Sequence, residues 1–333
     1  VKAMGKIGVL LINLGTPDAP DAKSVRRYLK EFLSDPRVVE IPQLLWQPIL
    51  RGPILLTRPR KSAHAYQQVW MKEGSPLAVY TREAALGLQR LMGPGLTIDW
   101  AMRYGNPSIG SRLEAMMAAG CDRILLAPLY PQYCAATTAT ALDAAFAALG
   151  RMRAQPAIRT LPPYYADPAY IEALRASTQA QLAALDFAPD LLIASFHGMP
   201  ERTRLLGDPY RDQCVESARL LEQALGREVR VTFQSRFGRA KWLGPATDDM
   251  LKTLPRQGVK NVAVLTPGFA ADCLETVEEI AIRGKEEFTG SGGNNFVHLS
   301  CLNATPDAMN LYENLVGREL AGWLEREVSS VTF

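Results

Sequence analysis

The sequence predicts an α/β protein of two similar halves, each a parallel sheet flanked by helices, with an active cleft between them. Three observations predict it. Short apolar runs end in turn residues, helix-like stretches separate those runs, and a set of motifs recurs once in the same order.

The runs are residues 7–14, 97–102, 123–127, 191–196, 229–233, 262–266 and 296–299. Runs that are apolar throughout suit strands buried on both faces, as in parallel sheets. Between them, residues 108–119, 167–184 and 209–225 read as crossover helices. The first run opens the chain but leads into the turn Gly15-Thr16-Pro17 without a small-residue cleavage site, so it reads as a core strand and not as a signal peptide.

The repeats tie the halves together. Leu14-Gly15-Thr16-Pro17 recurs as His197-Gly198-Met199-Pro200, Arg103-Tyr104-Gly105 as Arg236-Phe237-Gly238, and Ile124-Leu125-Leu126-Ala127-Pro128 as Ala263-Val264-Leu265-Thr266-Pro267. A threonine follows nine residues after each of those last two prolines, Thr137 and Thr276. The offsets are 183 (15 to 198), 133 (103 to 236) and 139 (128 to 267). The first drop implies an insertion of roughly 50 residues in the first half.

That insertion falls near residues 41–77. It holds Leu44-Leu45-Trp46 and Ile54-Leu55-Leu56, broken by Pro42, Pro48, Pro53 and Pro59, with five basic and no acidic residues over 41–72. Such a stretch reads either as a surface that meets anionic lipid or an anionic apolar ligand, or as a proline-rich buried loop. The expected organisation is a first domain over 1–155, a second over 156–306, and a C-terminal helix in 307–333 packing back on the first. Prolines at 156, 162 and 163 mark a linker over 153–167.

Composition narrows the function. With 333 residues, 47% hydrophobic and 21% charged, the chain has the makings of a two-domain globular protein. A net charge of +3 gives no case for nucleic-acid binding. Five cysteines without a CxxC pair argue against a disulfide framework or zinc knuckle and for a reducing, cytoplasmic setting. No GxGxxG or GxxxxGK[ST] follows a strand, so a nucleotide cofactor has no support.

Ligands of open α/β sheets bind beyond the carboxyl ends of the strands. There, His197 follows a strand run directly, while the matching position of the first half is Leu14. A change from apolar to ionisable at equivalent sites points to chemistry, whereas His64 and His298 lack such a setting. Asp272, Glu275, Glu278 and Glu279 open a helix after the 262–266 run, with Glu275 and Glu279 on one face. Acids in a first turn also complement the helix dipole. The small and apolar Gly268-Phe269-Ala270-Ala271 beside them suggests a partly enclosed acid–base site instead. Ser195 reads as strand end, not nucleophile.

Taken together, Ser195-Phe196-His197-Gly198-Met199-Pro200, Gly207-Asp208-Pro209-Tyr210, Gln234-Ser235-Arg236, Trp242-Leu243-Gly244-Pro245 with Thr247, and Asp272 through Glu275-Thr276 resemble the ferrochelatase family. The first half agrees through Asn13-Leu14-Gly15 with Pro17, Gly74-Ser75-Pro76, Arg103-Tyr104, and Tyr130-Pro131-Gln132-Tyr133 followed by Thr137-Thr138. The resemblance spans nearly the whole chain.

It implies two Rossmann-like, chelatase-type domains with a porphyrin in the cleft, and insertion of Fe²⁺ into protoporphyrin IX as the last step of haem synthesis. His197 would accept pyrrole protons or hold the iron, and an imidazole suits proton acceptance near neutral pH. Glu275 would be its partner across the ring, with Asp272 and Glu279 forming an acidic path. Arg58, Lys61 and Ser75 match propionate-holding positions. Asn13, Leu14, Arg103, Tyr130, Phe233 and Phe269 match pocket-lining ones. The insertion resembles the family's apolar lip, which implies membrane contact and a peripheral place on the cytoplasmic membrane face. A transient contact with the preceding porphyrin-pathway enzyme would fit the same position.

No tightly bound cofactor is expected, and Fe²⁺ is a substrate. No cysteine follows Cys301, so the C-terminal [2Fe–2S] cluster of some relatives is not expected. Leu14 and Arg283 depart from some relatives, which touches ring distortion and the acidic row beyond Glu279. The rival readings are a chelatase acting on coproporphyrin III or sirohydrochlorin and a non-catalytic tetrapyrrole-binding protein. The first would favour a more polar cleft rim; the second would not need both His197 and Glu275.

Overall fold

The computed structural model describes residues 5–238 and 240–324. The first half runs β1 (Lys6–Thr16), α1 (Ala22–Leu33), α2 (Gln43–Ile49), α3 (Leu55–Val69), α4 (Pro76–Met92), β2 (Leu96–Gly105), α5 (Ile109–Ala118), β3 (Cys121–Pro128), α6 (Thr140–Leu149), β4 (Ala157–Thr160) and α7 (Pro168–Ala183). The second runs β5 (Leu191–His197), α8 (Glu201–Leu205), α9 (Tyr210–Leu225), β6 (Val229–Gln234), α10 (Thr247–Thr253), β7 (Asn261–Leu265), α11 (Lys285–Gly290), β8 (Asn295–Leu299) and α12 (Pro306–Glu319). The strands form two parallel sheets of order β2-β1-β3-β4 and β6-β5-β7-β8. The central β1 and β5 are buried along nearly their whole length, as their apolar sequences require.

The same strand order in both sheets supports the duplication, and strand register sharpens it. With Leu14 matched to His197, Asn13 stands opposite Met102 where Phe196 stands opposite Phe233, an offset of 131. Gly8 beside Ile124 corresponds to Leu191 beside Val262, an offset of 138. The motif matches over Arg103 and Pro128 had therefore slipped by two residues and one. The structural counterpart of Arg103 is Gln234, not Arg236. The return from each outer strand repeats too, with Met102 N–H donating to Pro107 O at 2.7 Å and Phe233 N–H to Pro245 O at 2.9 Å.

The expected linker is not one. Ala157–Thr160 pairs in parallel with β3 and completes the first sheet, past the boundary expected at 155. Its short, half-exposed sequence carries no apolar run to announce it. Beyond it, Asp167 caps α7 and Thr305 caps α12, each followed by proline at the first helical position and separated by the same 138 residues. These terminal helices cross over. Helix α7 packs on α9 of the second half, while α12 packs on α4 of the first half and on α7. Arg318 of α12 pairs with Asp167 at the start of α7. One apolar core consequently runs through both halves. Of the segment 307–333 expected to hold the terminal helix, α12 accounts for the part up to Glu319, and residues 325–333 lie outside the described residues.

The insertion is helical despite its prolines. Helix α2 and helix α3 meet through a π-type turn, Leu50–Ile54, with non-helical backbone at Gly52. Neither buried loop nor uniformly exposed lip describes it. Leu50 and Leu55 are buried, whereas Leu44 is 92% exposed and Leu45 and Leu56 are each 65% exposed. The inner face of α3 (Ala63, Tyr66, Val69) packs on Val25 of α1 and on Leu274 and Val277 of the second half.

Candidate active site

His197 ends β5 in register with Gln234 of β6. The turn that follows is tight: Gly198 N–H donates to Gln234 O at 2.7 Å, and a Cβ on Gly198 would sit 2.4 Å from that oxygen. Only glycine fits, which fixes the direction in which His197 leaves the sheet. Tyr210 Oη donates to His197 O at 3.0 Å from α9. His197 Nδ1 lies 2.7 Å from Gly198 O. A carbonyl can only accept, so that contact places the proton on Nδ1 and leaves the Nε2 lone pair available.

Opposite this turn runs Glu275–Gly284, a ten-residue π-helix in place of the α-helix expected there. The first half has a shorter π-type turn at the matching place, Ala135–Ala139. Such i→i+5 winding is rare and collects at functional sites. Gln234 joins this helix to the His197 strand end: its Nε2 donates to Glu275 O at 2.9 Å and lies 3.5 Å from Glu279 Oε2. Ser235 N–H donates to Glu279 Oε1 at 2.8 Å, and its hydroxyl donates to Oε2. Burial pushes the Glu279 carboxyl above the ordinary carboxylate range; the Ser235 hydrogen bond and the His197 and Arg283 charges only partly offset it. A carboxyl so placed exchanges a proton more readily near neutral pH than a free one.

Glu275 faces the first half. Its charge reaches the phenols of Tyr66 on α3 and Tyr28 on α1, which burial already holds well above the ordinary tyrosine value. Leu14 at the end of β1 and Phe269 at the foot of the π-helix join one apolar cluster with Leu77 and Met102, so both bridge the halves beside the site. Asn13 is buried, with Nδ2 donating to Thr81 Oγ1 at 3.2 Å. Tyr130 is buried with no hydrogen-bond partner for its hydroxyl among the described residues.

Other expected site residues take different places. Phe233 is 1% exposed and packs on Phe196 inside the core, because strand alternation turns it away from the cleft. Ser75 is 3% exposed and caps α4, its Oγ accepting from Ala78 N at 3.3 Å. Asp272 is buried, with Thr276 Oγ1, Cys301 N and Asn303 Nδ2 donating to it, so its oxygens are committed to the fold and not free in an acidic row. Arg103 is committed as well: it donates to Asp35 and to Thr140 Oγ1 and lies over the Tyr104 ring at 4.2 Å. Arg58 and Lys61 are exposed on α3, and Arg58 sits 5.0 Å over the Phe237 ring across the cleft rim. Among the described residues no three His, Cys, Asp or Glu side chains form a ready metal cage.

Several contributors had no sequence signal of their own. Tyr28, Tyr66 and Asp35 stood out in no motif, and Cys273 counted only as one of five cysteines, yet Cys273 is buried beside Glu275. Ser195 is fully buried and donates to Gln234 Oε1 at 2.9 Å, in keeping with its reading as strand end.

Comparison with known proteins places this arrangement. A family model described as Ferrochelatase matches residues 6–320. The chain is 54% identical over 327 residues to a ferrochelatase of Rhizobium meliloti, covering 96% of each chain. It is 51% identical to a ferrochelatase of Mesorhizobium japonicum over 96% of this chain and 93% of that one. Among solved structures, SirB from Bacillus subtilis with Fe³⁺ superposes with a TM-score of 0.58 at 13% identity, over 96% of this chain and 97% of that one. The sirohydrochlorin chelatase SirB from the spizizenii subspecies, in complex with cobalt, gives 0.55 at 14%, over 95% and 96%. At such identities the superpositions speak for the fold alone.

Proposed function

The chain belongs to the ferrochelatase family, and from that premise we propose that its cleft inserts Fe²⁺ into protoporphyrin IX to give protohaem. The observation that carries the residue-level reading is the pairing of a free His197 Nε2 with a π-helix bearing Glu275 and Glu279, joined through Gln234.

The reaction needs two bases. Two pyrrole N–H bonds break as iron bonds to the ring nitrogens, so two protons leave for each Fe²⁺ that enters. His197 Nε2 takes one. A carboxylate of the π-helix takes the other, and Glu279, raised by burial, passes protons on. Glu275, facing the first half, meets the ring or the incoming metal from the other side. Leu14 and Phe269 supply apolar walls that press on a flat macrocycle, while Asn13 and Tyr130 complete the pocket. Arg58 and Lys61, exposed beside the rim, suit the propionates; the capping Ser75, the buried Phe233 and Asp272, and the Asp35-paired Arg103 act through the fold instead.

The exposed Leu44, Leu45 and Leu56 beside Arg51, Arg58, Arg60 and Lys61 support a peripheral contact with an anionic membrane face, where an apolar porphyrin partitions and where a preceding pathway enzyme could hand it over. Among the described residues no helix is long and apolar enough to cross a membrane. An anaerobic insertion assay with Fe²⁺, Co²⁺ and Zn²⁺ against protoporphyrin and coproporphyrin tests the proposal. Preferred turnover of coproporphyrin would replace the substrate, and absence of any metallation would remove the function.

A further inference from the structure

Glu279 is held more closely than a carboxylate lining an open passage requires. One residue, Ser235, donates to both of its oxygens, through the backbone N–H at 2.8 Å and through the hydroxyl. Ser235 has φ of 65°, in the left-handed region that side-chain-bearing residues seldom occupy. Such conformations persist where the surroundings over-determine them, and they collect at functional sites.

The surroundings here are a buried polar file. Thr232 Oγ1 and Thr247 Oγ1 lie 2.8 Å apart, and Thr247 Oγ1 lies 2.8 Å from Ser195 Oγ. Ser195 in turn donates to Gln234 Oε1 at 2.9 Å. With that oxygen occupied, the Gln234 amide nitrogen must face Glu275 and Glu279. Gln234 is also the register partner of His197, so the file fixes Ser235 one residue from the strand pair that carries the base.

Resting on the reading of the cleft as a metal-insertion site, we propose that Ser235 is a positioning residue, orienting the Glu279 carboxylate to receive the proton that His197 takes from the ring. In that step the imidazolium Nε2–H bond breaks, a Glu279 O–H bond forms, and His197 returns to its neutral state for the next turnover. Ser235 touches neither ring nor metal; it acts through Glu279.

The test uses the full chain in the anaerobic insertion assay. Ser235→Gly tolerates the left-handed backbone and keeps the N–H while deleting the hydroxyl. The expected result is a kcat lowered about tenfold, as for loss of one charge-assisted hydrogen bond, with the porphyrin KM unchanged and the pH profile of kcat displaced. In a Glu279→Gln background the same substitution should add nothing to the loss. A wild-type kcat and pH profile for Ser235→Gly, or an undiminished further loss on top of Glu279→Gln, would overturn the proposal. Melting temperatures read in parallel separate this from unfolding: a kcat loss that merely follows a fall in folded protein also overturns it. Failure of the wild-type chain to metallate any porphyrin would instead defeat the underlying reading, whatever the variants do.

Discussion

Gln234 Nε2 lies 2.9 Å from the carbonyl oxygen of Glu275, tying the strand end beside His197 to the first turn of the π-helix. The two sides of the site are thus held by a hydrogen bond and not by chance proximity. A shift of either element moves both the base and the carboxylates.

The raised Glu279 carboxyl has a consequence for stability. It binds its proton more tightly in the folded chain than in the unfolded one. Between the ordinary carboxylate value and the raised one, the folded state carries the extra proton, so stability falls as pH rises through that window. Glu279→Gln removes the loss. Melts from about pH 4 to about pH 8 should show little difference at the acid end and a more stable variant at the alkaline end, while iron insertion drops. A variant that melts below wild type at the alkaline end contradicts the assignment.

Asp35 behaves in the opposite sense. Burial raises its carboxyl, but hydrogen bonds from Thr140, the Arg37 N–H and Tyr104, with the Arg103 charge, outweigh burial and leave it below the ordinary range. Its contribution is present above the unfolded-state pKa and is lost as pH falls through the folded-state one. Asp35→Ala, which strands Arg103, should cost about 3 kcal/mol at neutral pH, and the gap should narrow in acid. Denaturant titrations at both ends check this; a gap independent of pH would exclude the ion pair as its source.

The exposed apolar side chains of the insertion make a third case. Leu44, Leu45 and Leu56 replaced together by Asp should weaken binding to anionic vesicles by at least tenfold, since each leucine buried in lipid contributes about 1.5–3 kcal/mol. Leu55, 2% exposed, is the wrong residue to change, because a charge there enters the core. Co-sedimentation that is indifferent to the triple substitution would count against a membrane-facing lip.

Much of the fold was legible because parallel strands buried on both faces write themselves as apolar runs. Seven of the eight strands did so, and two of the crossover helices began at capping side chains, Ser108 and Asp167. β4 escaped because four half-exposed residues, Ala157-Ile158-Arg159-Thr160, carry no such run. His197 stood out in the sequence as an ionisable group at a strand end, and Glu275 as an acid at the start of the helix after the 262–266 run. The π winding was not, since i→i+5 bonding has no distinct residue pattern. Strand-end position could not separate residues facing the cleft from those alternating into the core, which is why Phe233 was misplaced. Nor could it show which polar groups spend their hydrogen bonds on one another, as Asp272 does with Asn303 and Arg103 with Asp35.

The central claim is that His197 takes a proton from the ring, and His197→Ala tests it most directly. Porphyrin binding, read by quenching of porphyrin fluorescence, and haem formation, read by absorbance under anaerobic conditions, are measured on the same protein. The account predicts binding within about twofold of wild type, the walls being intact, and haem formation lowered by at least about a hundredfold, as for removal of a general base. Near-normal turnover with His197 absent would contradict it.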